Sequence, residues 1–332
     1  MARIFVSGAD GFIGSHLVEA LVLEGHQVCA FVQYNSLNSW GWLDDVSADV
    51  MGQVEVVAGD IRDKEHVQRT VRNKDVIFHL AALVAIPYSY QAPSAFASTN
   101  LTGTLNLLQA AREAGVELFV QTSTSEVYGS AQFVPITEEH PLIGQSPYSA
   151  SKIAADQMAI AYERSFNLPV CVLRPFNTYG PRQSARAIIP TIITQILQGK
   201  ESLELGSLTP TRDFNYVQDT VNGFLSVLGK PKAIGEVINL GSNFEISIEE
   251  TVVLIKRIMD SDIEVVTSPH RVRPQKSEVD RLFASNEKAK RLLGWTPDYV
   301  GKTGFSRGIQ NTVDWFKSIE NHRHYRDKGY VI

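Results

Sequence analysis

Arg3-Ile4-Phe5-Val6-Ser7-Gly8-Ala9-Asp10-Gly11-Phe12-Ile13-Gly14 carries the strongest structural signal in this 332-residue chain. The apolar run at 4–7 reads as a buried strand, and 13–24 as an amphipathic helix. Between them, glycines spaced G-x-x-G-x-x-G permit a tight turn and close approach of a ligand to the backbone. The helix N-terminus then faces whatever binds there. A glycine triplet alone marks only a turn; set between a strand and a helix it is a variant of the dinucleotide fingerprint. Gly8, Gly11, Phe12, Ile13 and Gly14 are the contacts it predicts.

The same rhythm continues outward. Strand-like runs fall at 4–7, 27–32, 54–58, 76–79, 118–122 and 170–173, with helical patterns at 13–24, 64–71, 94–113 and 148–166. This alternation predicts an α/β fold, a Rossmann-like doubly wound parallel sheet with a smaller mixed α/β substrate-binding domain. After Arg174-Pro175-Phe176-Asn177 the elements shorten around Pro181, Pro190 and Pro210. A helix is predicted at 219–228, a strand at 236–240 returning to the main sheet, and a helix at 286–293. Ser247-Ile248-Glu249-Glu250 is a capping box that opens a further helix. The expected division is 1–176 plus 213–240 for the cofactor domain and 177–212 plus 241–332 for the substrate domain.

Two further loops belong to the cofactor reading. Asp60-Ile61, after the third strand, suits the adenine end, and Leu80-Ala81-Ala82, after the fourth, offers small residues beside a dinucleotide. Ordinary turn and packing chemistry is the competing, weaker explanation for either loop. At the end of the second strand an acid normally receives the ribose hydroxyls, or an arginine a 2′-phosphate. Here Val32-Gln33-Tyr34-Asn35-Ser36 carries neither. NAD is therefore expected, with NADP not excluded, and Asn35 is the candidate for a ribose hydroxyl.

Composition sets limits. The chain is 44% hydrophobic and 20% charged with net charge −5, so no basic surface advertises nucleic acid or an anionic membrane. No apolar run approaches a membrane span. Met1-Ala2-Arg3-Ile4 enters a strand without a signal-peptide pattern, so a cytoplasmic location is expected. Cys29 and Cys171 sit in separate apolar runs and are expected as buried thiols. No His/Cys spacing suggests a metal. His79, inside an apolar strand, is expected as a core histidine.

Chemistry enters at Ser123-Thr124-Ser125-Glu126-Val127-Tyr128-Gly129 and Tyr148-Ser149-Ala150-Ser151-Lys152. Tyr148 and Lys152 lie at i and i+4, on one helical face. A phenol titrates near pH ~10, and a neighbouring ammonium favours its ionised form, which makes the tyrosine a usable base. Glu126 adds an acid/base group that simple alcohol oxidation does not need. Singly, each residue has an ordinary structural explanation as a core tyrosine, a solvated lysine or a loop-capping carboxylate.

With Arg174-Pro175-Phe176-Asn177, Thr211-Arg212-Asp213-Phe214 and Arg271-Val272-Arg273-Pro274, these segments resemble the extended short-chain dehydrogenase/reductases over nearly the whole chain. Within that family, Thr124-Ser125-Glu126 looks like the active-site segment of sugar-nucleotide 4,6-dehydratases. Tyr34-Asn35-Ser36-Leu37-Asn38-Ser39-Trp40-Gly41-Trp42-Leu43-Asp44 and Arg182-Gln183-Ser184-Ala185-Arg186 carry a narrower resemblance. It is to the NAD-dependent dehydratases of nucleotide-linked N-acetylglucosamine in legionaminic acid biosynthesis.

The resemblance implies that Tyr148, polarised by Lys152, takes the C4 hydroxyl proton while hydride leaves C4. Both residues would also touch the cofactor. Glu126 would take the C5 proton, water would leave C6, and hydride would return there. Thr124 would hold the C4 oxygen. Ser125 stands where dTDP-glucose dehydratases have an aspartate; a serine is a poor acid, so it would orient the C6 oxygen while Glu126 serves as base and then acid. Asn177, Arg212 and Arg273 would hold the nucleotide diphosphate, Arg186 would assist, and Tyr88 would touch the hexose. A homodimer through the helices at 94–113 and 148–166 is implied as well. The rivals are UDP-glucuronate decarboxylation, 4-epimerisation and a non-catalytic NAD-binding sensor.

Overall fold

Apolar periodicity and local caps set the elements. The computed structural model describes residues 1–322 and Tyr325. Its strands are β1 (Arg3–Ser7), β2 (Gln27–Gln33), β3 (Val54–Gly59), β4 (Val76–His79), β5 (Leu118–Thr122) and β6 (Val170–Pro175). They continue with β7 (Asn177–Tyr179), β8 (Ser202–Leu205), β9 (Thr211–Tyr216), β10 (Val237–Leu240), β11 (Glu245–Ser247) and β12 (Glu264–Thr267). Seven form one parallel sheet in the order β10-β6-β5-β4-β1-β2-β3. β11, β9 and β7 form a mixed three-stranded sheet, and β8 pairs with β12. The predicted strand at 236–240 does return to the main sheet, beside β6.

Pleating sends alternate residues to opposite faces. Ile4, Val6, Val28, Ala30 and Phe78 enter one core, which includes Leu17 and Leu21 of the helix Phe12–Leu23. Phe5, Cys29, Phe31, Ile77 and Phe119 enter the other, under Leu107 and Ala111 of the helix Gly103–Ala114. Cys29 and Cys171 therefore lie in different cores, across the sheet from each other, as free thiols. Burial pushes each up to about 12.

Caps fix the long helix between β5 and β6. Ser146 accepts from Ser149 N at 3.1 Å, the Ser149 hydroxyl reaches back to Ser146 N at 3.0 Å, and Pro147 begins the helix Pro147–Phe166. The predicted capping box at Ser247 and Glu250 is present too, opening the helix Ile248–Ile258. One expected helix differs. The pattern at 94–113 predicts a single continuous helix, but the segment runs from Pro93–Phe96 through a π-helical turn, Ala97–Thr102, into Gly103–Ala114. Asn100, in that turn, is 1% exposed and forms three hydrogen bonds with neighbouring segments. The wider turn turns Asn100 inward, which a regular 3.6-residue period does not anticipate.

Strand order reverses between β1 and β4, where Ser7 lies beside His79. In an open parallel sheet a ligand crevice forms outside the carboxyl ends at such a point. The loops that follow β1, β4 and β5 all open there.

Candidate active site

The glycine turn fits a dinucleotide. Gly8 has φ +69°, and a Cβ on it would lie 2.7 Å from Ala81 N. A Cβ on Gly14 would overlap the Gly8 carbonyl. Gly11 caps the Phe12–Leu23 helix without a side-chain bond, and no acid lies in its first turn. Its first N–H groups are thus presented to an anion, the arrangement that a diphosphate requires.

His79 is structural, as expected. Its Nδ1 lies 2.7 Å from Ser7 Oγ and its Nε2 2.9 Å from Thr104 Oγ1. Thr104 spends its proton on the Asn100 carbonyl at 2.5 Å. The network therefore assigns the Nε2–H tautomer, with Ser7 donating to Nδ1. Burial holds the ring neutral, down to about 3. Ser7 Oγ in turn accepts from Ala81 N at 3.2 Å, and Leu80 N donates to the Ser7 carbonyl at 3.1 Å. Leu80 and Ala81 are thereby fixed against the Gly8 turn, and Ala82 follows in the same crevice.

At the end of β5 the chain turns through Ser123 and Thr124 into a 3₁₀ turn, Ser125–Tyr128. Thr124 Oγ1 accepts from Glu126 N at 3.2 Å, and its hydroxyl lies close enough to the Tyr148 phenol to favour the ionised form. One hydroxyl thus stands between the Glu126 backbone and the Tyr148 phenol. Ser125 and Glu126 are 2% and 8% exposed, so the carboxylate sits inside the cleft rather than on the surface. Tyr148 packs with Ile86 and Phe96, and Tyr88 lies against that cluster, its ring 6.0 Å from Phe96.

Lys152 donates to the Thr122 carbonyl at 2.6 Å. Burial lowers its ammonium to about 8, opposed by the negative charge of Asp156. For Tyr148, burial raises the phenol far above its ordinary value and outweighs the Thr124 hydroxyl that lowers it. Within the protein alone, burial opposes ionisation of Tyr148, and Thr124 is the neighbour that favours it.

Behind this pair lies a network absent from the sequence reading. Asp156, one turn beyond Lys152, accepts from Ser123 Oγ at 2.6 Å and from Arg174 Nε and Nη2 at 3.2 and 3.1 Å. Arg174 Nη1 donates to the Tyr128 hydroxyl at 2.9 Å, which donates to Asn239 Oδ1 at 2.7 Å. Asn100 ties the loop after β4 to the catalytic helix through Leu83 and Ser151. The i+4 step from Lys152 to Asp156 was the available signal; nothing in the sequence pointed to Asn100.

The predicted substrate residues divide. Arg212 and Arg273 converge on one oxygen of Glu278, at 3.4 and 3.5 Å. Arg212 also feels the Glu126 carboxylate, which links the recognition end to the acid/base group. Asn177 Oδ1 is buried with no hydrogen-bond partner among the described residues, an acceptor placed for a ligand donor. Arg186 is exposed on the loop before the helix Ile188–Leu197. It makes no side-chain contact with the other site residues among the described bonds.

Of the adenine-end residues, Asp60 is paired with Arg62 at 2.5 Å. The Ile61 side chain belongs to the core under Gly103, leaving its backbone for a ligand. The Asn35 amide is engaged in its own turn, with Gln33 O, Ser39 O and Leu37 N. Among the described residues no group of three or more His, Cys, Asp or Glu side chains is placed to hold a metal ion. None of their helices is long and apolar enough to cross a membrane.

Residues 5–312 match the model of a family described as GDP-mannose 4,6 dehydratase. The chain is 33% identical to the dTDP-glucose 4,6-dehydratase DesIV of Streptomyces venezuelae, solved with NAD bound, at a TM-score of 0.86 covering 97% of this chain and 98% of that one. It is 32% identical to a UDP-glucose 4-epimerase of Mycolicibacterium smegmatis, over 95% of this chain and 99% of the relative. A UDP-N-acetyl-α-D-glucosaminuronate decarboxylase of Bacillus cytotoxicus is 31% identical, over 96% and 99% respectively.

Proposed function

The chain belongs to the GDP-mannose 4,6-dehydratase family of NAD-dependent extended short-chain dehydrogenase/reductases, and on that premise we propose that it is a nucleotide-sugar 4,6-dehydratase. Its substrate in this proposal is UDP- or GDP-linked N-acetylglucosamine, and its product the 4-keto-6-deoxy sugar. The observation that carries the reading is Glu126, buried in the cleft with the Thr124 hydroxyl between its backbone and Tyr148.

The bound nicotinamide supplies a hydride acceptor that later returns the same hydride. Tyr148 takes the C4 hydroxyl proton, with Thr124 fixing that oxygen and Lys152 supplying positive charge. A 4-ketone acidifies the C5 proton, which Glu126 removes. Elimination needs a proton on the departing C6 oxygen; Glu126, now protonated, gives it up as water leaves, and Ser125 holds that oxygen. Once hydride is back on C6, C5 regains a proton from solvent through Glu126, and Tyr148 releases to solvent the proton it took from the C4 hydroxyl. Arg212 and Arg273 hold the diphosphate, since a guanidinium fork matches phosphate oxygens; Asn177 would meet it through its amide N–H groups, leaving Oδ1 to accept from a ligand hydroxyl. Tyr88 borders the hexose. We include in the proposal a homodimer through the helices Gly103–Ala114 and Pro147–Phe166, whose Leu105, Met158 and Ile160 are only partly covered within the chain. The same proposal places the enzyme in the cytoplasm, in keeping with two free buried thiols.

The relatives include an epimerase and a decarboxylase, so product mass is the decisive readout. Incubation with UDP- and GDP-N-acetylglucosamine is expected to give a product lighter by one water. An unchanged mass favours epimerisation, and loss of carbon dioxide from a uronate favours decarboxylation. Glu126→Gln protein is expected to lose exchange of the C5 proton with solvent deuterium; full dehydratase turnover by this variant would falsify the assignment.

A further inference from the structure

The end of β2 lacks the acid that dinucleotide folds use for the adenosine ribose. The fold supplies one from another segment. Asp10, inside the glycine turn, accepts at Oδ2 from the backbone N–H of Gln33, the last residue of β2, at 3.3 Å. No arginine, lysine or histidine pairs with Asp10 among the described residues. A carboxylate has about four acceptor sites, so those bonds leave capacity for a vicinal diol.

The exposed segment after β2 fastens Asp10 in place. Trp42 N donates to the Asp10 carbonyl at 3.0 Å. Gly41, at φ +60°, passes so close that a Cβ there would lie 2.6 Å from the same oxygen. Asp44 holds the turn by accepting from Ser39 Oγ at 2.7 Å and Trp40 N at 3.1 Å. The Trp42 ring packs against Trp315, with centroids 5.7 Å apart. Tyr34–Asp44 thus has a physical role that the sequence did not reveal. It positions a carboxylate, while its own Asn35 amide is consumed in the turn.

We propose that Asp10 accepts the 2′- and 3′-hydroxyls of the cofactor's adenosine ribose and excludes a 2′-phosphate, in place of the missing acid on β2. Two O–H donors of the ribose meet two carboxylate oxygens. A 2′-phosphate meets a negative charge instead, and Arg62, on the loop after β3, is already paired with Asp60. Burial raises the Asp10 carboxyl above its ordinary value, which marks a partly desolvated site where such a charge contrast is strongly felt.

The test uses cofactor binding without any sugar nucleotide, so the dehydratase reading can fail without affecting it. Cofactor-depleted protein is titrated by calorimetry with NAD, 2′-deoxy-NAD and NADP. The wild-type chain is expected to bind NAD about 10-fold or more tighter than either analogue, the span of one charge-assisted hydrogen bond. Asp10→Asn keeps an acceptor for Gln33 N and is expected to shrink the NAD-to-NADP ratio about 10-fold through loss of the charge. Asp10→Ala is expected to erase the difference between NAD and 2′-deoxy-NAD. A wild-type chain that binds NAD and 2′-deoxy-NAD equally overturns the proposal even if both variants fail to fold. So does an Asp10→Asn protein that keeps the wild-type ratio while Asn35→Ala loses it.

Discussion

The two ends of the cleft are built differently. At the catalytic end, Ser123, Asp156 and Arg174 are joined by bonds of 2.6–3.2 Å, Lys152 is held to the Thr122 carbonyl at 2.6 Å, and all four lie within 5% exposure. These residues sit on β5, β6 and one long capped helix, the most regular part of the molecule. At the recognition end, Arg212 and Arg273 share one carboxylate oxygen at 3.4 and 3.5 Å, among short strands and 3₁₀ turns. Bond making needs reacting groups held to within fractions of an ångström, so it sits where the backbone is over-determined. Charge recognition tolerates adjustment, and loops supply it.

The largest test of this contrast is Tyr148→Phe. Removal of the proposed base is expected to cut kcat by about 10³-fold, within the range for general base catalysis. Substrate affinity should hold within about twofold, because the recognition end is untouched. Single-turnover kinetics with equilibrium binding separates the two; a parallel loss of affinity would join the ends that the geometry separates.

Asp156→Asn comes next. It leaves the Arg174 guanidinium buried without its counter-ion, and breaking such a pair costs about 3–5 kcal/mol. Urea unfolding is expected to show that loss. Glu278→Gln, at the recognition end, is expected to cost less, because Arg212, though buried, is held only at 3.4 Å, Arg273 is partly exposed, and the amide oxygen still accepts from both. Equal losses in the two variants would mean that the recognition end is as rigid as the catalytic one.

The same contrast explains what the sequence could disclose. The Gly8 turn, the strands of the main sheet and the Tyr148/Lys152 pair are legible because each follows from local sequence: glycine spacing, an unbroken apolar run, or i to i+4. The helix at 94–113 was misread as continuous because Asn100 answers to Leu83 and Ser151, 17 and 51 residues away. Asp10 was overlooked because the expected acid belongs on β2, whereas its approach to Gln33 is created by folding. The Arg212/Arg273 convergence was anticipated only through family resemblance; Glu278, which gathers them, was not.

Arg273→Ala probes the looser end directly. Its guanidinium is partly exposed and bonded at 3.5 Å, so truncation is expected to raise KM for the nucleotide sugar about 10-fold, one charged hydrogen bond's worth, with kcat nearly unchanged. Steady-state kinetics reads the split. A fall in kcat would assign the arginine to the reacting geometry rather than to binding.

The smallest effect is pH dependence, and it distinguishes the ends because only one of them titrates near neutrality. Lys152 is lowered by burial to about 8 in the folded chain, against about 10.4 when unfolded. Between those values the unfolded chain binds more protons, so raising the pH favours the folded state. Lys152 therefore costs stability below pH 8, and the cost is released as pH climbs toward the unfolded value. Lys152→Met carries no such charge. Its stability advantage over wild type is expected to be greatest below pH 8 and to shrink by about 1 kcal/mol over the first pH unit above it. The arginines keep their charge throughout that window, so Arg273→Ala should track wild type in parallel. Chemical denaturation of the three proteins from pH 7 to 10 measures this. A difference between wild type and Lys152→Met that stays flat would mean that the buried ammonium is not destabilised, and that the catalytic end is no more desolvated than the recognition end.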